Sequence, residues 1–434
     1  MNFLKKIFSP SCLIISLFLL IYTFYKSEIH FDGKKSDFYI TYYILSIILI
    51  IFSIFTFLFN QKIKEYSIIS IISIVVSLYL FEAYLNFYGK IINVKKKIYK
   101  NETGIKFDTR TRYEIYKDLK KIDNNIKLNV SPSNYIDTDN TFYPLSAISN
   151  SKTIFCNENG YYSIYQSDRY GFNNPDTEWD QEEVEYLLVG DSYVHGACVN
   201  RPNDIASVLR TLSDKSVLNL GFSGNGPLIQ YATLREYLNS NVKKVLWIYF
   251  EGNDLTRDLD KELENKILKN YLSDLNFTQN LKLRQKEINV YANELIEIER
   301  KWESFSYNFL RFIKIYSVRY LLTPKTKPQL KKGLQPEFKE IIRLVKDLTY
   351  ENRIKLYFIY LPEYGRYKPN YNNQTYILVK KFVNQLNIPF IDLHINVFKK
   401  EKNPLKLSPF QLPGHYTVEG YKKIADTIYK STQN

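Results

Sequence analysis

Three stretches near the N-terminus are almost free of charge: Cys12 to Tyr25, Phe38 to Asn60 and Tyr66 to Tyr88. Runs this rich in Ile, Leu, Phe and Tyr leave no polar face for water, so they fold inside a large core or inside a bilayer. The last two are each as long as a bilayer-spanning helix, about 20 residues. The first spans if it starts near Ile7. No small-residue cleavage site follows it, which makes it an uncleaved signal anchor rather than a signal peptide. Residues 1–90 are therefore expected to be a multi-pass membrane anchor with spans at 7–25, 38–60 and 66–88. Lys5, Lys6, Lys62 and Lys64 favour a cytoplasmic N-terminus, whereas Lys34, Lys35 and Lys95 to Lys97 argue the other way. The rule is weakest beside large translocated domains. The expected arrangement is N-terminus inside and the rest of the chain outside, periplasmic or at the cell surface.

Beyond the anchor, short apolar runs alternate with helical patterns. Tyr186 to Val189 reads as a buried strand and stops at Gly190-Asp191-Ser192. Ser216 to Leu220 is a second strand, followed by Gly221-Phe222-Ser223-Gly224-Asn225-Gly226. Val245 to Phe250 is a third, followed by Glu251-Gly252-Asn253-Asp254. Further strands are read at Lys355 to Leu361 and Pro389 to Leu393, and Gly414-His415-Tyr416 precedes a final helix, Val418 to Tyr429. Strands alternating with helices imply a parallel sheet with right-handed crossovers. A Ser on the turn after a strand then sits at the carboxyl end of the sheet, where such folds bind ligands.

Strand-Gly-Asp-Ser, strand-Ser-Gly-Asn, strand-Gly-Asn-Asp and a late His, in that order, resemble the SGNH (GDSL-type) hydrolase superfamily. The resemblance covers roughly Tyr186 to the end. It implies a flavodoxin-like three-layer α/β domain over 181–434 with a helical insertion at 255–322. It also implies a catalytic set of Ser192 as nucleophile, His415 as general base, and the Ser192 N–H, Gly224 N–H and Asn253 side-chain amide as oxyanion donors. Asp191 and Asp254 are expected to order turns. One departure stands out. The superfamily usually carries Asp three residues before the His, and here that residue is Leu412. Asp392 or a backbone carbonyl is left to orient His415. The other histidines read blandly: His195 as a cap or cleft-lining residue, His394 as surface or packing, His30 in a loop between spans.

Residues 91–180 form a juxtamembrane connector and a β-rich lead-in. Asn159-Gly160 followed by aromatics suggests a hairpin. Asp168-Arg169-Tyr170-Gly171-Phe172-Asn173-Asn174-Pro175 resembles a phrase that precedes the Gly-Asp-Ser strand in many membrane-linked SGNH proteins. The lead-in either walls the cleft or is a structural ribbon. In the insertion, charges recur at helical spacing, with Glu262/Lys266 and Glu297/Lys301 placed for pairing. It is expected to be a lid or partner-binding arm over the sheet, or a prop for the domain.

The formal charge of +14 is spread along the chain. With no zinc finger, RNP motif or basic helix, nucleic acid is not an expected partner, and anionic lipid or acidic glycan fits better. Without Cys-x-x-Cys or a His cluster, no metal and no cofactor is expected. Cys156 and Cys198 either pair outside the cytoplasm or stay as unpaired buried thiols, the latter slightly preferred. The expected function is a membrane-anchored serine esterase or O-acyltransferase acting on acyl esters of envelope glycans or lipids. A transferase of this kind calls for a membrane partner or a soluble acyl donor. The alternative is a degenerate, non-catalytic domain that binds glycan or scaffolds an envelope complex.

Overall fold

The computed structural model describes residues 2–433 except 34–35, 88–89, 139–140, 303 and 323–332. The chain divides into two compact units, Met1–Gly89 with Phe309–Pro324, and Lys90–Asn308 with Lys325–Asn434.

In the first unit α1 (Asn2–Phe24), α2 (Ser36–Phe55) and α3 (Gln61–Phe87) follow one another. A π-helical stretch, Tyr25–His30, prolongs α1, so His30 ends a helix instead of lying in a loop. All three helices are long and apolar enough to cross a membrane. Tyr88, the expected last residue of the third span, and Lys34 and Lys35 lie outside the described residues. Small hydroxyl residues mark the α1–α2 seam: Ser9 Oγ donates to the Thr56 carbonyl at 2.9 Å, and Ser16 meets Ser53 at 3.3 Å. Such residues let helices approach closely where no water drives association. The short helix Tyr316–Leu322 belongs here too. The Glu82 carboxylate of α3 accepts the Ser317 and Val318 N–H groups at 3.0 and 2.9 Å. The expected single insertion is thus two pieces, and its second piece joins the apolar helices.

The second unit opens with a small sheet of β1 (Ile126–Leu128), β2 (Lys152–Ile154) and β3 (Ile164–Gln166). β1 and β2 are parallel, and β2 and β3 form the expected antiparallel hairpin. The chain then runs through β4 (Val184–Val189), α4 (Ser192–His195), α5 (Ile205–Ser213), β5 (Val217–Asn219), α6 (Pro227–Tyr237) and β6 (Val242–Phe250). It continues through α7 (Gln285–Trp302), α8 (Pro336–Glu351), β7 (Lys355–Leu361), α9 (Gln374–Gln385), β8 (Phe390–Asp392) and α10 (Val418–Ser431). Strand order is β5-β4-β6-β7-β8, parallel throughout. This is the flavodoxin-like order, so the expected fold class is borne out.

The strands are apolar on both faces because helices cover both. Leu187, Val189, Val245, Trp247, Tyr249, Phe358 and Tyr360 face α6, α8 and α9. Tyr186, Leu188, Leu246, Ile248, Tyr357 and Ile359 face α5 and α10. The first piece of the insertion is built into the domain. Leu268, Tyr271, Ile288 and Ala292 are fully buried. Glu262 accepts the Gly226, Leu228 and Ile229 N–H groups at the start of α6. Glu262 is therefore not free to pair with Lys266, and Glu297 pairs with Arg300, not Lys301. α7 lies along the lead-in, where Asn289 bonds Ser149 and Asn293 bonds Lys127. These contacts pack this piece against the lead-in.

Candidate active site

Val189 ends β4, and Asp191 starts α4 as its N-cap, accepting the Tyr193 N–H at 3.0 Å. Such a cap satisfies an otherwise orphaned helix donor. Ser192 opens the helix and is 8% exposed. Thr417 caps α10, and His415 lies two residues before it on a turn. Tyr193 steadies that turn: its hydroxyl donates to the Gly414 carbonyl at 3.2 Å, and its ring lies 4.8 Å from the His415 ring. The result brings His415 Nε2 within 2.8 Å of Ser192 Oγ, across 223 residues of chain. This is the distance over which a base takes a hydroxyl proton.

The other face of the imidazole meets a residue that the sequence did not single out. Glu158, at the tip of the β2–β3 hairpin, places Oε1 3.1 Å from His415 Nδ1, and its Oε2 accepts the His415 backbone N–H at 2.6 Å. Burial alone would raise this carboxyl. The hydrogen bonds and charge of His415 outweigh that and hold it below the ordinary range. Gly414 makes the approach feasible: a Cβ there would stand 2.6 Å from Glu158 Oε2.

Cys156, two residues before Glu158, forms a disulfide with Cys198, six residues after Ser192. The preference for unpaired thiols is corrected; the hairpin and the segment after α4 bring the two Cα atoms to 4.9 Å. Asn159 Nδ2 adds a hydrogen bond to the Cys198 carbonyl at 2.9 Å. A local signal for Glu158 existed only in these two cysteines, since their pairing lays an acidic hairpin tip beside the Ser192 helix.

Neither expected source of orientation, Asp392 or a backbone carbonyl, bonds His415 Nδ1 among the described residues. Asp392 accepts from Tyr376 Oη at 2.6 Å and Lys380 Nζ at 2.9 Å. Leu412 lies in extended backbone and has no polar side chain to offer.

Gly224 has φ of +76°, a conformation glycine adopts without strain, and a Cβ there would strike Ser133 Oγ of the lead-in at 2.5 Å. Asn253 uses one of its two amide hydrogens within the protein. Its Nδ2 donates to the buried Asp258 carboxylate at 2.6 Å. Asp191 and Asp254 hold turns; Asp254 accepts the Phe250 N–H at 3.0 Å. Burial pushes both carboxyls up, and Asp191 raises Asp254 further.

His195 neither caps nor lines the cleft. It is fully buried against the rings of Phe155, Tyr165 and Phe222, and neither ring nitrogen has a partner among the described residues. Burial lowers its pKa to about 3. His394 packs on Tyr367, whose hydroxyl lies 3.0 Å from its Nδ1.

The Asp168 phrase of the lead-in is a fastening. Asp168 is fully buried and accepts from the Tyr170 and Phe172 N–H groups, Asn174 Nδ2 and Trp179 Nε1, all within 2.7–2.9 Å. Asn174 bonds Asn219 of β5, and Asn173 bonds the His195 carbonyl at the end of α4. The lead-in is thereby locked to the sheet edge and to the Ser192 helix.

Ligand atoms of Glu158, Cys198 and His415 lie within 4.8 Å of one another, the spacing of a metal site. The Cys198 sulfur is committed to the disulfide and is no thiolate, so the set is short of a ligand. Chemically, the group is suited to proton transfer from a hydroxyl.

No protein-family model matches the chain, and no curated protein matches its sequence. Among solved structures it is similar to a protein described as lipolytic, of the G-D-S-L family, from Desulfitobacterium hafniense DCB-2. That match has a TM-score of 0.33 and 14% identity, over 57% of this chain and 99% of that one. It is also similar to an acetyl xylan esterase, AlAXEase, with a TM-score of 0.31 and 11% identity, over 57% of this chain and 100% of the other.

Proposed function

We propose that the chain is a membrane-anchored serine esterase or O-acyltransferase. The observation that carries this reading is the 2.8 Å contact between Ser192 Oγ and His415 Nε2 at the carboxyl end of a parallel sheet. Ser192 Oγ attacks the acyl carbonyl as its proton passes to Nε2. Collapse of the tetrahedral adduct returns that proton to the leaving alcohol and leaves an acyl-Ser192 ester. Water or an acceptor hydroxyl, deprotonated by the same nitrogen, then takes the acyl group. Backbone N–H groups of Ser192 and Gly224 receive the developing oxyanion. The second N–H of the Asn253 amide joins them.

The substrate class is an acyl ester of an envelope glycan or lipid, met on the outer side of the membrane. The Cys156–Cys198 disulfide supports that side, because such bonds persist in oxidising compartments. A transferase would draw its acyl group from a membrane partner or a soluble donor. The second reading, a non-catalytic glycan-binding or scaffolding domain, is favoured by one observation: one hydrogen of the Asn253 amide is spent on Asp258.

The test is turnover of p-nitrophenyl acetate by the full-length chain in detergent micelles, beside Ser192→Ala and His415→Ala. Turnover lost in both variants supports acyl chemistry. Equal rates in all three, with the fold intact, leave the binding domain.

A further inference from the structure

We infer that Glu158 is the positioning acid of the Ser192–His415 pair, delivered by the N-terminal lead-in instead of the turn before the histidine. The inference rests on the acyl-transfer reading for its consequence, but on geometry for its substance.

A base in this role needs one tautomer. Nε2 must be free to accept the Ser192 proton, so Nδ1 must carry hydrogen, and an acceptor at Nδ1 fixes that state. The Glu158 carboxylate supplies the acceptor at 3.1 Å. Its second oxygen grips the His415 main chain at 2.6 Å, so ring and backbone are set by one carboxylate. Once the proton arrives, the imidazolium faces a negative charge.

Three features show that the hairpin tip is built to hold this group. The disulfide anchors the hairpin two residues away. Asn157 closes the tip by accepting the Gly160 N–H at 3.0 Å and donating to the Asp108 carbonyl at 2.8 Å. Gly414 leaves space that any side chain would take from the carboxylate. Neither other candidate acid bonds the ring among the described residues: Asp392 is taken by Tyr376 and Lys380, and Asp191 uses Oδ1 for the Tyr193 N–H while its Oδ2 is buried without a partner. The lead-in is therefore half of the site, and Leu412 marks where the usual acid was replaced from elsewhere in the chain.

The experiment compares wild type, Glu158→Gln and Glu158→Asp in the full chain in micelles, with two readouts. The first is the pH midpoint of His415 modification by diethyl pyrocarbonate, read by peptide mass spectrometry. Groups facing the ring are Glu158, Asp191 and Tyr193, and only Glu158 changes. Loss of its charge is expected to lower the midpoint. The second is p-nitrophenyl acetate turnover, expected to fall roughly 10²- to 10⁴-fold in kcat for Glu158→Gln with KM little changed, and to recover in part in Glu158→Asp. An unchanged midpoint with unchanged kcat in Glu158→Gln overturns the assignment. If wild type turns over no faster than Ser192→Ala, the acyl-transfer reading fails, and the midpoint alone decides whether Glu158 governs His415.

Discussion

Replacing Gly414 by Ala tests the Glu158 contact without touching either partner. Gly414 is not among the residues with positive φ, so Ala fits the backbone. Its Cβ, however, would stand 2.6 Å from Glu158 Oε2 and 3.1 Å from Cδ. Ordinary van der Waals contact begins near 3.4 Å, so the carboxylate must retreat by about 0.8 Å. Oε2 is the oxygen that accepts the His415 backbone N–H at 2.6 Å, so that retreat stretches this bond to about 3.4 Å, beyond the usual hydrogen-bond range, and draws the carboxylate away from the ring. A hydrogen bond to a charged group contributes about 1.5–3 kcal/mol, which at about 1.4 kcal/mol per decade means roughly a 10- to 150-fold loss. The assay is kcat on p-nitrophenyl acetate for wild type, Gly414→Ala, Glu158→Ala and the double variant. With the carboxylate gone there is nothing for the new methyl to displace, so Gly414→Ala costs little in the Glu158→Ala background. A wild-type rate in Gly414→Ala, or the same fold loss in both backgrounds, would refute the reasoning.

Three further outcomes are expected. Replacing Cys156 and Cys198 together by Ser opens a 42-residue loop and destabilises the domain by about 4 kcal/mol on the chain-entropy account, read as a lower denaturation midpoint. His195 stays neutral when folded down to about pH 3, while the unfolded chain protonates near the ordinary value of about 6.5. Stability is therefore lost as pH falls through that window, by about 1.4 kcal/mol per unit for this one group, and His195→Phe removes that share of the slope in denaturation midpoints between pH 7 and 5. With the N-terminus inside, a cysteine at Lys402 reacts with a membrane-impermeant maleimide added to intact cells and one at Lys62 does not; the reverse pattern places the domain in the cytoplasm.

The sheet was legible because each core strand is a short apolar run that ends in turn residues, and both signals are local. Ser192 and His415 were legible for the same reason, each standing at a chain reversal beside a helix start. Glu158 was not. Its contact joins residues 257 apart, and no periodicity or turn propensity encodes that. Leu412 told where an acid was missing, and Asp392 drew attention by lying at a strand end, yet its oxygens are taken by Tyr376 and Lys380. The helical spacing of 255–322 was read correctly as helix, but spacing does not say what a helix packs against. Glu262 caps α6 and Glu82 holds Ser317 and Val318, so buried carboxylates divide the insertion between the two units. The Cys156–Cys198 disulfide was one of two readings the sequence left open, since the count of cysteines does not say whether two of them meet.

The most direct test of the account is covalent. The full-length chain in micelles is treated with a fluorophosphonate and its peptides are mapped by mass spectrometry. The account predicts one phosphonyl adduct, on Ser192, that is absent in Ser192→Ala and forms far more slowly in His415→Ala. An adduct on another residue, or none in a sample whose Cys156–Cys198 bond is intact, would contradict it.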